Sequence, residues 1–149
     1  MLSFLPGPVT AVLGAILVGL NTAFFSVPLF TVSLLKLIVP VRGWQDVCRR
    51  ILTTIATSWI SVNNFLIGLF TRTRWELEGF EGLDPDGCYM VVCNHQSWVD
   101  IPVLQKAFNR RIPFLKFFLK QQLIWVPLLG LAWWALDFPF MKRYSRETI

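Results

Sequence analysis

The chain has 149 residues, of which 54% are hydrophobic and 15% aromatic, against only 15% charged. Soluble domains carry about a quarter charged residues, so an ordinary water-soluble globule is excluded and a membrane protein is indicated. Lys and Arg exceed Asp and Glu by 14 to 9, a net charge of +5; yet they are interleaved with apolar sequence and no zinc or helix-turn-helix pattern accompanies them, which argues against a nucleic-acid partner.

Taken in chain order, Val9 to Leu35 carries no charge, and neither does Ile51 to Phe70. Each run reaches the ~20 residues needed to cross a hydrocarbon core. The first has no Lys or Arg ahead of it and no small-residue cleavage site at its end, so it does not read as a cleaved signal. Pro6 and Pro8 suit a helix's first turn, whereas Pro28 predicts a kink or two pieces. The second run carries Ser58, Ser61, Asn63, Asn64 and several threonines, a polar stripe that is costly against lipid at the midplane. It is better placed shallowly or packed against its partner. Lys36, Arg42, Arg49 and Arg50 lie between the runs, and Arg72 and Arg74 follow the second. Positive-inside placement puts both flanks in the cytoplasm, which predicts a spanning or dipping first helix and a second that turns back re-entrant or in plane. Two ordinary spans is the alternative. Trp44, Trp59 and Trp75 are candidate markers of interface depth.

From Arg74 the pattern changes. Arg74–Glu78 alternates with period two, as a half-exposed strand does. Asp84-Pro85-Asp86-Gly87 has turn chemistry, with Pro presetting φ and Gly supplying positive φ. Tyr89–Cys93 is continuous and apolar, which reads as an interior strand. A helix is predicted over Trp98–Phe108, a strand over Ile112–Phe118 and a short helix over Gln121–Ile124. Another helix is predicted over Leu128–Leu136, then a strand over Phe138–Met141 with Pro139 marking an edge or its start. Strands alternating with helices predict an α/β domain over 73–149, preceded by a membrane-embedded helical hairpin over 1–72.

The chemistry concentrates in Asn94-His95-Gln96-Ser97-Trp98-Val99-Asp100. His95 is the one histidine in the chain, and imidazole is the group best suited to take and return a proton near neutral pH. A carboxylate five residues on, Asp100, is placed to fix its tautomer and stabilise the imidazolium. The alternative is a capping box, Ser97-x-x-Asp100, in which Asp100 only satisfies backbone donors. Cys93, on the same strand face as His95, is a further candidate nucleophile, although a buried free thiol is the commoner reading. Cys48, Cys88 and Cys93 show neither disulfide nor zinc spacing. Lys106, Arg110, Arg111, Lys116, Lys120, Lys142, Arg143 and Arg146 form a basic cluster of the kind anionic headgroups attract, at about 1 kcal/mol per residue.

Three ordered blocks carry a family resemblance: Val91–Asp100 with its N-H-x-x-x-x-D, Phe118–Gly130, and Phe138-Pro139-Phe140-Met141-Lys142-Arg143. The chain resembles the glycerolipid acyltransferases related to 1-acylglycerol-3-phosphate acyltransferase (PlsC-like), nearest to the bacterial YihG-type branch. The resemblance implies that 73–149 is the N-terminal part of an acyltransferase domain. A fatty acyl group would pass from acyl-CoA or acyl carrier protein to a lysophospholipid hydroxyl at the cytoplasmic face of a bacterial inner membrane. His95 would then be the base and Asp100 its orienting acid. Arg143 would hold the acceptor phosphate, with Lys120 and Lys116 as further candidates whose alternative is plain solvated surface. Metal and cofactor are not required. A third, glutamate-glycine block is expected beyond Arg143, so the chain reads as the N-terminal half of such an enzyme. The alternative is a non-catalytic membrane anchor or a degenerate acyltransferase fragment.

Overall fold

A computed structural model describes residues 6–71, 73–94, 96, 97, 99–126 and 129–142. Two long helices open the chain, α1 (Gly7–Ile38) and α2 (Arg42–Phe70). After a long irregular stretch come α3 (Asp100–Phe108), β1 (Leu119–Lys120), a 3₁₀ turn (Gln121–Trp125), α4 (Leu129–Ala135) and β2 (Phe140–Met141).

α1 begins where the Pro6 carbonyl accepts the amides of Val9 and Thr10 at 3.0 and 3.1 Å. It ends before Pro40, which has no N–H to donate and biases Val39 out of the helical region. At 32 residues it measures about 48 Å, more than the ~30 Å of a hydrocarbon core. Pro28 lies inside it without dividing it. One lost donor is tolerated where uninterrupted ladder continues on both sides, as it often is in apolar helices. The most apolar stretches of α1 and α2 have mean hydropathy 1.9 and 1.2, and both helices are long and apolar enough to cross a membrane. Cys48, Leu52, Ala56 and Ile60 are all buried. Their four-residue spacing puts them on one stripe of α2.

The described residues fall into two compact units, one from 6–26 with 56–115 and the other from 27–55 with 116–142. In the first, α1 meets α2 through neutral polar groups. The Asn21 amide donates to Asn63 Oδ1 at 2.8 Å and to the Trp59 carbonyl at 3.3 Å, while Trp59 Nε1 donates to Thr22 Oγ1 at 3.2 Å. Asn63 of the α2 polar stripe is thus used within the protein, which lowers its cost against lipid. In the second unit, Trp44 Nε1 donates to the Leu35 carbonyl at 3.2 Å across the helix–helix turn.

The sheet is smaller than the alternation of segments predicts. β1 and β2 pair in parallel, Leu119 with Phe140 and Lys120 with Met141, and this is the sheet among the described residues. The fold is therefore mostly helical, and its α/β character rests on that one pair. Arg74–Glu78 and Tyr89–Cys93 form no ladder, and Met90 and Val92 are 82% and 81% exposed, which corrects the interior strand expected there. An apolar run becomes an interior strand only where neighbouring strands take its amides and carbonyls. The strand expected over Ile112–Phe118 lies just beyond it, at β1. The predicted turn is present: the Gly87 amide donates to the Asp84 carbonyl at 3.0 Å and the Asp86 amide to Asp84 Oδ1 at 2.9 Å. Among the described glycines, however, positive φ belongs to Gly79 and Gly82 rather than Gly87. At Gly87 a Cβ would stand 2.6 Å from the Tyr89 ring, so a larger residue there would have to displace that side chain.

Candidate active site

Asp100 opens α3 and its side chain reaches back along the chain. Its Oδ2 accepts the Gln96 amide at 2.7 Å and the Ser97 amide at 2.8 Å. Ser97 Oγ accepts the Val99 amide at 3.2 Å, and the Ser97 carbonyl accepts the Asp100 amide at 3.1 Å. Asp100 thereby ties down two amides that precede α3, at a helix start where the dipole also favours a negative charge; Val99, the residue that caps α3, makes no side-chain cap bond, so the expected capping box is only partly formed. The same two bonds fix the carboxylate against the residue that follows His95 in the chain, so a cap and an orienting acid are compatible roles. His95 itself lies outside the described residues.

α3 is in turn held to α2. Ser61 Oγ donates to the Thr57 carbonyl at 2.9 Å and accepts the Asn109 side-chain amide at 2.9 Å and Arg110 Nε at 3.3 Å. Trp75, a candidate depth marker, lies beneath the Lys106 ammonium at 4.6 Å, and Phe80 meets both the Phe108 ring (5.4 Å) and the Arg111 guanidinium (4.8 Å). Such cation–ring contacts contribute about 0.5–1 kcal/mol each at exposed sites. Three members of the basic cluster are thus engaged within the chain. The Cys93 thiol is exposed rather than buried.

The candidate phosphate ligands belong to the other unit. Lys120 lies in β1 opposite Met141, Lys116 stands four residues ahead of it, and both are exposed. Arg143 lies outside the described residues. A Cβ on Gly130 would collide with the Ile124 carbonyl, so glycine lets the start of α4 lie against the 3₁₀ turn behind β1.

This unit also contains a charged cluster that sequence reasoning passes over. Lys36 Nζ, from the last turn of α1, donates to Asp137 Oδ1 at 2.8 Å and to the Ala135 carbonyl at 2.7 Å. Its side chain is 5% exposed. Arg49 of α2 donates from Nε to Asp137 Oδ2 at 2.6 Å and also pairs with Asp46 at 2.6 Å. Burial alone would raise the Asp137 carboxyl, but the hydrogen bonds from Lys36 and Arg49, with their charge, outweigh it and hold it below the usual carboxylate range. The signal was there to be read: Asp137 is the one charged residue between Lys120 and Lys142.

Comparison with known proteins identifies the family at this point. A family model described as Acyltransferase matches residues 74–149, the span that contains Asp100, Lys116, Lys120 and Asp137. The chain belongs to the acyltransferase family, and acyl transfer is its general chemistry. No curated protein and no solved structure matches it.

Proposed function

We propose that the protein transfers a fatty acyl group from an acyl-CoA or acyl carrier protein thioester to the free hydroxyl of a lysophospholipid. Lysophosphatidate is the default acceptor, and the chain is assigned to the 1-acylglycerol-3-phosphate (PlsC-like, YihG-type) acyltransferases. The observation that carries this reading is the Asp100 carboxylate, held by the Gln96 and Ser97 amides within the family-matched span, whose sequence also contains the chain's one histidine.

His95 takes the acceptor's hydroxyl proton as the oxygen attacks the thioester carbonyl. The tetrahedral intermediate then collapses, the carbon–sulfur bond breaks, and the imidazolium returns the proton to the departing thiolate. A thiol of pKa about 8.5 leaves far more readily than an alcohol, so a base with its orienting acid suffices without an acyl-enzyme. Asp100 orients the ring and stabilises its cation. Arg143, with Lys120 and Lys116, receives the acceptor phosphate through charge-assisted hydrogen bonds. Residues 1–72 seat the catalytic part, 73–149, on the cytoplasmic face of a bacterial inner membrane. The exposed apolar side chains of α1, Leu20, Phe24 and Val27 among them, support that seat. Both lipid substrates partition there, which supplies proximity.

The test is thioester-dependent acylation of lysophosphatidate by membranes carrying the full chain. His95→Ala should abolish transfer, and Asp100→Asn should lower kcat by about 100-fold or more, with protein level and membrane association near wild type. Retention of most activity in His95→Ala would remove the assignment.

A further inference from the structure

We propose that Asp137 is a positioning residue for the acceptor: with Lys36 and Arg49 it latches the turn end of the helical hairpin to the segment that carries the phosphate-binding groups. The inference rests on the acyl-transfer reading above and adds a residue to it that touches neither substrate.

Asp137 stands just beyond α4 with φ 57°. Its amide donates to the Trp134 carbonyl at 3.0 Å and the Phe138 amide to the Trp133 carbonyl at 2.9 Å. This is the Schellman pattern, whose left-handed residue is ordinarily glycine or asparagine. A residue with a Cβ is disfavoured there, and the carboxylate is what this one adds. Its two oxygens take cations from two different helices, Lys36 of α1 and Arg49 of α2. Lys36 also donates to the buried end of α4 at the Ala135 carbonyl and lies 5.5 Å from the Trp134 ring. The end of α4 is therefore gripped by both arms of the hairpin at one residue.

The fixed point is passed on within a few residues. The Pro139 carbonyl accepts the Leu119 amide at 3.0 Å, and Phe140–Met141 then pairs with Leu119–Lys120. Lys120 is thereby set relative to the hairpin, and Arg143 follows Met141 by two positions in the chain. With the hairpin seated in lipid, the latch fixes the depth at which Lys120 meets a headgroup phosphate. Misplacement of a binding group by about 1 Å is enough to cost a large factor in rate.

Asp137→Gly alone strands the buried Lys36 ammonium and is liable to misfold. The experiment therefore uses the double variant Lys36→Met/Asp137→Gly, which removes both charges and leaves the left-handed position its preferred residue, with Lys36→Met beside it. In membranes carrying the full chain, the double variant should raise KM for lysophosphatidate about tenfold while kcat and KM for the acyl thioester stay within about twofold. Lys36→Met, which keeps the Arg49 pair, should show a smaller rise. Hydrogen exchange at the Leu119 amide should quicken in the double variant. Wild-type KM for the acceptor in the double variant, or equal losses for both substrates, would overturn the latch. Failure of the underlying reading has a different signature, wild type and His95→Ala alike in transferring nothing.

Discussion

α3 and α4 are both followed by a charged residue in the left-handed backbone region, Arg110 at φ 62° and Asp137 at φ 57°. Glycine is the default at such positions, and in each case a side chain reaches toward the helical hairpin instead. The two reaches differ in kind. Asp137 receives a nearly buried lysine at 2.8 Å and an arginine at 2.6 Å, whereas Arg110 makes one exposed contact with a serine hydroxyl at 3.3 Å that Asn109 shares more closely. A left-handed residue other than glycine marks a site worth inspecting. What its side chain holds decides whether it is structural.

The hairpin shows the same division along its length. The Asn21–Asn63 and Trp59–Thr22 bonds of the first unit involve no charge, so they are compatible with an apolar surrounding. Lys36, Asp46, Arg49 and Asp137 of the second unit form an ionic network, which low-dielectric surroundings penalise heavily. The turn end of the hairpin is thereby the end suited to the wet headgroup region, and it is the end to which Asp137, just beyond α4, is bonded.

The largest expected effect breaks the Asp137 side of the comparison. Asp137→Gly should destabilise the detergent-solubilised protein by about 3 kcal/mol, the cost of leaving a buried ammonium without its partner. The double variant Lys36→Met/Asp137→Gly should recover most of that loss, since replacing both charges is near neutral. Denaturant unfolding of wild type, single and double variants measures the difference. Equal loss in single and double would show that the carboxylate acts on something other than Lys36.

A smaller effect follows from pH. The groups facing Asp137 are Lys36 and Arg49, with Asp46 on the far side of Arg49, and the carboxyl is held below its ordinary value. A depressed folded-state pKa contributes stability that is complete above the unfolded value and lost as pH falls through the folded one. The stability difference between wild type and the double variant should therefore be flat from about pH 8 to pH 5, and wild type should lose ground below about pH 4. A change centred near pH 6 to 7 would implicate another group.

Much of the fold is legible in the sequence because it is local. The two charge-free runs and Pro40 give α1 and α2, the helix expected over Trp98–Phe108 is found two residues shorter at its start, and the helix expected over Gln121–Ile124 is a 3₁₀ turn one residue longer. Ser97-x-x-Asp100 announces the bond from the Ser97 amide to the Asp100 carboxylate. Strands are less legible because a ladder depends on partners distant in the chain. Tyr89–Cys93 has the composition of a core strand and none of the pairing, while Pro139 does mark where β2 begins. The latch is least legible of all: Lys36, Arg49 and Asp137 are brought together from separations of 88 to 101 residues. No periodicity encodes that, and the one available clue is a lone carboxylate in a long uncharged stretch.

The smallest effect should carry the opposite sign. Arg110→Gly relieves a left-handed conformation that costs a residue with a Cβ about 1 kcal/mol and forfeits one long, solvent-exposed hydrogen bond. Ser61 keeps its bonds to Asn109 and Thr57, so no buried donor or acceptor is left unmet. The variant should be as stable as wild type or more stable, by at most about 1 kcal/mol, while Asp137→Gly at a near-identical φ is strongly destabilised. Urea titrations of the two variants in parallel test the pair. A loss at Arg110 comparable with that at Asp137 would mean that Ser61 and Arg110 form a second latch, in which α3, like α4, is held to α2 through the residue that ends it.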